Sequence, residues 1–510
     1  MSQIYITTPI YYVNDNPHVG HAYTSIACDA LARFYRLKNY EVFFLTGTDE
    51  HGLKIQQAAK EKSITPQNFV DNMSSNFQDL SENLNLSNND FVRTSSPKHI
   101  EAVVKFWENL SKNNQIYLDK YSGWYSIRDE AFYGEDEIKD GKAPSGSPVE
   151  WVEEESYFFK LSAWEKPLLK FYKENPDFVQ PKSRFNEVIS FVKQGLKDLS
   201  ISRTSFNWGV TVPGNNNHVV YVWIDALTNY LTALGYPNTD TEMFKKFWPA
   251  NFHIVGKDIL RFHAIYWPAL LMSVNLPIPK KIIAHGWWTI EKEKMSKSLG
   301  NVVSPNELIN EFGLDQLRFF LLREVPFGND GDFSKDSLIN RINSELANNF
   351  GNLVNRVFSM TNKNLQGIIP ESEIGEEEEE LISNCNERLS DYMVYFQATE
   401  FSKAIEKVLE IVSSTNKYID DTKPWALVKE NKTNELKKVL RTSLEMIRLI
   451  AILFYPIIPD SSTKILKALN ININKEKSSF NGLNQISSLV ENQKIGELDL
   501  LFDKIDKNPS

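Results

Sequence analysis

Cysteine is scarce: among 510 residues only Cys28 and Cys385 occur, far apart and outside any C-x-x-C spacing. That excludes a disulfide framework and a cysteine-rich zinc site, and it fits a reducing cytoplasm. A basic excess is also lacking. The formal charge of -10 removes the global cationic footprint of a protein that coats nucleic acid, while leaving room for local basic patches. The longest apolar run, IRLIAILFYPII from Ile447 to Ile458, falls short of the ~20 residues that span a bilayer and carries a proline. It is expected as a buried helix. The opening MSQIYITTPI has neither the basic start nor the continuous apolar core of a signal peptide.

What is present is ordinary globular material, 42% hydrophobic and 24% charged, in a chain long enough for roughly three or four domains. A strand pattern from Gln3 to Ile10, a helix from about His18 to Lys38 and a second strand from Glu41 to Thr46 alternate as in a parallel α/β sheet. Helical patterns fill Pro66 to Asn113. From Gln115 to about Tyr221 the texture changes to short aromatic runs, turns such as GKAPSGSP and one helix, Lys182 to Leu199, which indicates an inserted domain. The α/β texture resumes with FHIVGKDI, a helix Leu260 to Val274 and the strand KKIIAHGWW. A Rossmann-like domain split in two is the expected fold. Beyond about Lys335 the periodicity is helical, through Asn340 to Asn364, Glu376 to Phe396, Ala398 to Ile419 and Asn434 to Phe454, and predicts a helix bundle. The acidic run Glu376 to Glu380 suits the first turn of one of these helices.

Two short motifs carry chemistry. In NDNPHVGHAYTSIA, His18 and His21 stand three apart at a strand-to-helix turn, where unpaired N–H groups and partial positive charge suit a phosphate, and Gly20 lets a ligand approach the backbone. By itself H-x-x-H is equally half a metal site or a pair of surface histidines. The second motif is KMSKS, Lys294 to Ser298. Lys294 and Lys297, with Ser296 between them, make a cationic loop able to neutralise charge that builds up on a triphosphate. H-x-G-H at the first strand-helix turn and K-M-S-K-S after a late strand of the same domain rarely coincide by chance.

With those motifs and the stretches PIYYVNDNPHVGH, LTGTDEHG, GWYSIRDEAFY, PVEWVEE, YVWIDALTNY, GKDILRFHAIYWPALL, AHGWW, NNFGNLVNR and KPWAL, the sequence resembles the class I aminoacyl-tRNA synthetases nearly end to end, and within them the methionine-specific branch. The resemblance implies residues 1–114 and 222–290 as the two halves of a Rossmann-like catalytic domain, 115–221 as a connective insertion, 291–335 as the KMSKS loop and stem-contact region, and 336–510 as a helical anticodon-binding domain. It implies that His18, Gly20, His21, Lys294, Ser296 and Lys297 bind ATP, His18, His21, Lys294 and Lys297 catalytically, with Mg2+ accompanying the nucleotide.

The resemblance further assigns L-methionine to Ile10, Tyr12, Trp223, Ala226, Tyr230, Ile259, His263 and Trp267, with Asp49 as partner of the ammonium. Trp223, Ala226 and Tyr230 lie at helical spacing, as do Ile259, His263 and Trp267, so each set can face one cavity. A polarizable thioether suits such an aromatic slot, although aromatics at this spacing equally make core. His51 and Arg203 are implied near the active site, with Asp225 bridging toward the pocket. Six of the eight histidines, His18, His21, His51, His253, His263 and His285, fall in the two proposed Rossmann halves. For tRNA(Met), the initiator included, the resemblance implies anticodon contacts from Asn352, Arg356 and Trp425, by the edge bonds and stacking that recognise unpaired bases.

The chain departs from many relatives of that kind in two ways. No cysteine knuckle lies between Ile116 and Glu155, so no zinc is expected, and no added C-terminal tRNA-binding module follows, so a cytoplasmic monomer is expected. Rival readings are a shorter nucleotidyltransferase sharing H-x-G-H, which has no use for the bundle; the synthetases for Ile, Val and Leu, whose editing insertion is too large for this chain; the cysteine enzyme, whose zinc ligands are missing; and a binding relative without activity, expected to have lost His18, His21 or Lys297. Elemental analysis of the purified protein should find less than stoichiometric zinc; one zinc per chain would contradict the reading.

Overall fold

Five consecutive residues of the first strand, β1 (Gln3–Thr7), read QIYIT, and all but the first are buried. A strand apolar on both faces belongs in the middle of a covered parallel sheet, and that is where β1 lies. The chain continues through β2 (Tyr11–Tyr12), helix α1 (Val19–Leu37), β3 (Glu41–Asp49) and β4 (Asp90–Arg93), and returns to the sheet with β5 (Val179–Gln180), β6 (Phe252–Gly256) and β7 (Ile282–His285). The order is β2-β3-β1-β6-β7-β5, with β4 also pairing with β3. The registers of β1 on β6, β6 on β7, β7 on β5, β2 on β3 and β3 on β4 are all parallel. Gly47 sits opposite Val92 in the β3–β4 register, where an added Cβ would lie 2.1 Å from the Val92 carbonyl oxygen. Only glycine fits that approach.

This computed structural model describes residues 2–129, 131–290, 293–294, 303–373, 375–472 and 489–506. The chain divides into two compact units: Gln3–Cys28 with Phe43–His285, and Met1–Ser2 with Asp29–Val42 and Gly286–Ser510.

The first unit holds the parallel sheet together with two smaller ones. Ile116–Ser126, Ala131–Tyr133, Glu150–Phe159 and Leu199–Ser200 form an antiparallel sheet whose long ladder runs from Ile116 opposite Phe159 to Tyr125 opposite Glu150. Ser202–Arg203, Thr211–Val212 and Asn215–Val220 form a three-stranded sheet. The range 115–221, expected as one insertion, thus contributes to three sheets, because β5 within it pairs with Ile282 and Ile283 of the main one. Its helix also ends early, at Lys193 rather than Leu199, because Gly195 takes φ +101° and leaves the helical region.

The helix expected from Leu260 to Val274 is composite. A π-helical turn spans Phe262–Tyr266 and a regular helix follows over Trp267–Ser273. Pro268 has no N–H to offer the carbonyl four residues back, and that carbonyl, of Ala264, instead accepts the Tyr172 hydroxyl at 2.6 Å.

The second unit is mainly helical. Asn352–Leu365, Glu376–Gln397, Phe401–Thr422, Thr433–Phe454 and Pro459–Ala468 are its longer α-helices. Every residue from Val439 to Phe454 is buried, so the apolar stretch beginning at Ile447 supplies the end of a core helix, and the chain leaves the helix after Phe454, short of Pro456. No helix among the described residues is long and apolar enough to cross a membrane.

This core includes charge. Arg318 and Asp29, both fully buried, meet at 2.6 Å, Arg33 reaches the same carboxylate at 2.7 Å, and Arg318 also donates to the carbonyls of Ile457 and Pro456 at 2.8 and 3.1 Å. Removing one member of a buried pair strands the other and its carbonyl partners. Arg318→Ala should therefore lower stability by about 3–5 kcal/mol, measured by urea denaturation; a loss below about 1 kcal/mol would contradict this account.

Candidate functional site

The carboxyl ends of the parallel strands, where open α/β sheets bind ligands, carry most of the residues singled out by motif. After β2 the chain turns through Pro17 and His18 into α1. The His18 carbonyl accepts from the N–H groups of His21 and Ala22 at 2.9 and 3.2 Å, which makes His18 the residue that caps the helix. Its imidazole completes the cap: Nδ1 accepts from the Gly20 N–H at 3.1 Å, while the His18 N–H donates to Nδ1 of His21, also at 3.1 Å. This is a reciprocal capping box made of two imidazoles, with the rings stacked 3.9 Å apart.

The cap assigns the tautomers. Each Nδ1 accepts a backbone N–H, so each neutral ring carries its hydrogen on Nε2, and the helix start gains two N–H donors beyond its own. Burial, and then the adjoining His18, hold the His21 pKa well below its usual value. Phe77 and Tyr11 wall His21 at 5.3 and 4.8 Å between ring centroids. Gly20 is required here too, because an added Cβ would lie 2.8 Å from the His18 ring. At the same mouth, Thr24 bonds His285, at the end of β7, at 2.8 Å.

Thr48 and Glu50 share one side at the end of β3, shown by their 2.8 Å bond, which leaves Asp49, the last residue of the strand, to the other. The buried Glu50 carboxylate takes Arg93 Nε at 2.7 Å and Nη2 at 3.1 Å and also accepts from Ser95. His51 Nδ1 meets Asp225 Oδ2 at 2.6 Å, and His99 Nε2 meets Asp225 Oδ1 at 2.9 Å. Burial opposes ionisation of Asp225, yet the two imidazoles bring its pKa down from 3.8 to about 2. It is a carboxylate throughout the neutral range.

The amino-acid pocket candidates cluster around helix α2 (Val222–Thr232). Tyr230 bonds His263 Nε2 at 2.8 Å, and His263 Nδ1 donates to the Ile259 carbonyl at 2.9 Å, so the imidazole is the acceptor for the phenol. Burial lowers the His263 pKa to about 4 and raises that of Tyr230, and both are neutral near pH 7. Trp223 stacks on Phe262 at 3.7 Å and meets His263 edge-on at 6.1 Å. Ala226 is buried on the same helix, and Ile259 packs, half-buried, against the same core. Trp267 has no exposed surface and packs on Phe106, Tyr230 and Trp248, so it stands within the core. Ile10 and Tyr12 are half-buried beside β2, and Lys54 lies over the Tyr12 ring at 5.6 Å.

Arg203 is buried, and its guanidinium donates to Ser200 Oγ and the Ser202 carbonyl at 3.0 and 2.7 Å and lies over the Tyr221 ring at 4.5 Å. The sequence reading missed His99, for which no local motif exists, and His253, noted only in the histidine count. His253 stacks on Tyr230 at 4.1 Å and bonds Thr7 at 2.7 Å. Trp208, also missed, edges His51 at 5.4 Å and donates to the Glu50 carbonyl at 2.6 Å.

In the second unit, Lys294 belongs to the strand Glu293–Lys294, paired antiparallel with Trp288–Ile290; Ser296 and Lys297 lie outside the described residues. Asn352 is exposed at the start of its helix. One turn on, Arg356 is held by Asp420 at 2.8 Å and Asn416 at 3.3 Å. Trp425 follows Pro424 at a helix start and is 42% exposed, enough to offer a ring face. No group of three or more His, Cys, Asp or Glu side chains among the described residues could hold a metal ion.

Comparison with known proteins identifies the family. The family model described as "tRNA synthetases class I (M)" matches residues 4–147 and 142–358. That for the "Anticodon binding domain of methionyl tRNA ligase" matches 369–509. The methionine–tRNA ligase of Rickettsia felis is 50% identical over 507 residues, 98% of each chain. That of Caldanaerobacter subterraneus subsp. tengcongensis is 48% identical over 98% of this chain and 79% of its own. The solved Mycobacterium tuberculosis methionyl-tRNA synthetase in complex with methionyl-adenylate superimposes with a TM-score of 0.94 at 46% identity, covering 98% of this chain and all of the other. On that identity and coverage, the chain belongs to the methionine–tRNA ligases of the class I aminoacyl-tRNA synthetase family.

Proposed function

We propose that the chain activates L-methionine with ATP and transfers the methionyl group to the 3′-terminal adenosine of tRNA(Met). The observation that carries the reading is the pair of imidazoles capping the start of α1, whose Nδ1 atoms take backbone N–H groups and so place hydrogen on Nε2 at the positive end of a helix. In the first step the methionine carboxylate attacks the α-phosphorus. The bond to the β-phosphate bridging oxygen breaks, and pyrophosphate leaves with the electron pair. Charge rising on the phosphate oxygens is met by the hydrogens of His18 and His21 and by the helix N-terminus, with Gly20 leaving room for the nucleotide. Lys294 and Lys297, flanking Ser296, are assigned to the departing pyrophosphate. In the second step a ribose hydroxyl of the tRNA attacks the methionyl carbonyl and AMP leaves. Neither step needs a covalent enzyme intermediate, and catalysis rests on positioning and charge stabilisation.

Asp49 is assigned to the ammonium group, and the neutral Tyr230–His263 pair with Trp223, Ala226, Ile259, Ile10 and Tyr12 to the thioether side chain, Trp267 backing them from the core. The family implies Mg2+ with ATP, whose phosphates and water can supply its coordination; no protein-only cage occurs among the described residues. Asn352, Arg356 and Trp425 are assigned to the anticodon. A monomer acting in the cytoplasm is the accompanying reading.

ATP–pyrophosphate exchange with each of the twenty amino acids tests the first step: methionine should dominate, and exchange no greater than with leucine would overturn the reading. His21→Asn should lower the exchange kcat about 100-fold, the usual effect of losing one transition-state donor; a change under 3-fold would remove His21 from that role. Trp425→Ala should reduce kcat/KM for tRNA by about 10- to 100-fold, the value of one stacked base, with exchange nearly unaltered. Equal loss in both assays would sink the anticodon assignment.

A further inference from the structure

The His51–Asp225–His99 cluster is unused by the steps above. His99 Nε2 faces acceptors, Asp225 Oδ1 at 2.9 Å and the Asp225 carbonyl at 3.1 Å, so it carries hydrogen, and its Nδ1 lies 3.0 Å from the Thr232 hydroxyl. His51 donates Nδ1–H to the other carboxylate oxygen, Asp225 Oδ2, at 2.6 Å, and the neutral tautomer with its hydrogen there keeps a lone pair on Nε2.

No protein hydrogen bond to His51 Nε2 occurs among the described residues, while Trp208 closes one side of the ring. His51 follows Asp49 by two residues, just past the end of β3. An ammonium group carries three N–H donors, more than one carboxylate oxygen can satisfy. We propose that His51 Nε2 is a second acceptor for the substrate ammonium beside Asp49, and that Asp225 and His99 are positioning residues that fix its tautomer and orientation. This rests on the methionine-activating reading and adds to it a residue that distinguishes an α-amino acid from its amine-free analogue.

The test uses full-length His51→Asn, whose amide can still donate to Asp225 but has nothing at the Nε2 position, and His51→Gln, whose amide can place its oxygen there. Methionine KM and kcat are measured by ATP–pyrophosphate exchange. Inhibition is measured with methioninol, which has the ammonium without the carboxylate, and 4-(methylthio)butanoate, which has the carboxylate without the ammonium. His51→Asn should raise the methionine KM and the methioninol Ki about 10-fold or more, as expected for one charge-assisted bond. Its kcat should stay within about 2-fold, because the contact is made in ground and transition states alike. The 4-(methylthio)butanoate Ki should not move, and His51→Gln should stay within about 3-fold of wild type on all three ligands. Asp225→Asn, which turns its partner into an Nε2–H donor, should reproduce the methioninol loss in a near-isosteric background. Unchanged methioninol binding in His51→Asn would overturn the proposal, as would equal weakening of all three ligands, the mark of a purely structural role. Wild-type protein without methionine-dependent exchange would instead overturn the underlying reading.

Discussion

The end of β3 is held by a buried carboxylate that touches no candidate substrate. Glu50 has no exposed surface, and a charge in that position persists only if its oxygens are filled. Arg93, Thr48 and Ser95 fill them, while the Glu50 N–H donates to Thr94 Oγ1 and its carbonyl accepts from Trp208. A residue so bound cannot rotate about the strand axis. Because side chains alternate along a strand, holding Glu50 on the side of Thr48 leaves Asp49, the last residue of β3, on the other. The requirement to satisfy one buried charge thereby helps to fix the strand end that carries Asp49.

The same logic recurs at Asp225, with a difference in what supplies the compensation. Glu50 is paired with an arginine that cannot give up its proton, so that contact is insensitive to tautomer. Asp225 is paired with two histidines, His51 on one carboxylate oxygen and His99 on the other, so that contact depends on which ring nitrogen carries hydrogen. Arginine serves where a backbone must be immobilised; imidazole serves where the choice of lone pair or hydrogen matters. At the start of α1 the selection runs the opposite way: backbone N–H groups occupy Nδ1 of His18 and His21, and hydrogens are left on Nε2. Which ring nitrogen carries hydrogen is thus governed in both places by neighbours rather than by the histidines themselves.

Much of this was legible in the sequence because it is local. The QIYIT run, the helix after NPHVGH and the apolar end of the helix finishing at Phe454 follow from periodicity and capping. The H-x-G-H spacing is itself the capping box, since the N-cap and the third helical residue are three apart by definition. Non-local features were not legible. Val179–Gln180 is two residues long, and only the partners Ile282 and Ile283 make it a strand of the main sheet. His99 sits in a helix with no motif, and its importance arises from Asp225, 126 positions away. Arg203 was assigned by resemblance, and its bonds to Ser200 and Ser202 follow from the local fold rather than from any motif. The π-helical turn at Phe262–Tyr266 depends on a tertiary partner, Tyr172, for the carbonyl that Pro268 leaves unmatched.

The candidate amino-acid pocket shows why neutrality there is built rather than inherited from residue type. A histidine and a tyrosine are both titratable, yet the His263 Nδ1–H is committed to the Ile259 carbonyl and its Nε2 to the Tyr230 hydroxyl. Protonating His263 would place a second hydrogen against that phenol in a buried space, and burial already drives its pKa down to about 4. The pair therefore offers neither a cation nor an uncommitted N–H, only aromatic edges and the phenol oxygen. A lysine or glutamate side chain entering such a space would lose its hydration without gaining an opposite charge, whereas an unbranched thioether would lose little. On the proposed assignment, exclusion of charged side chains follows from the hydrogen-bond geometry itself, and selection among apolar ones would fall to the shape set by Trp223, Ala226 and the residues of the π-helical turn.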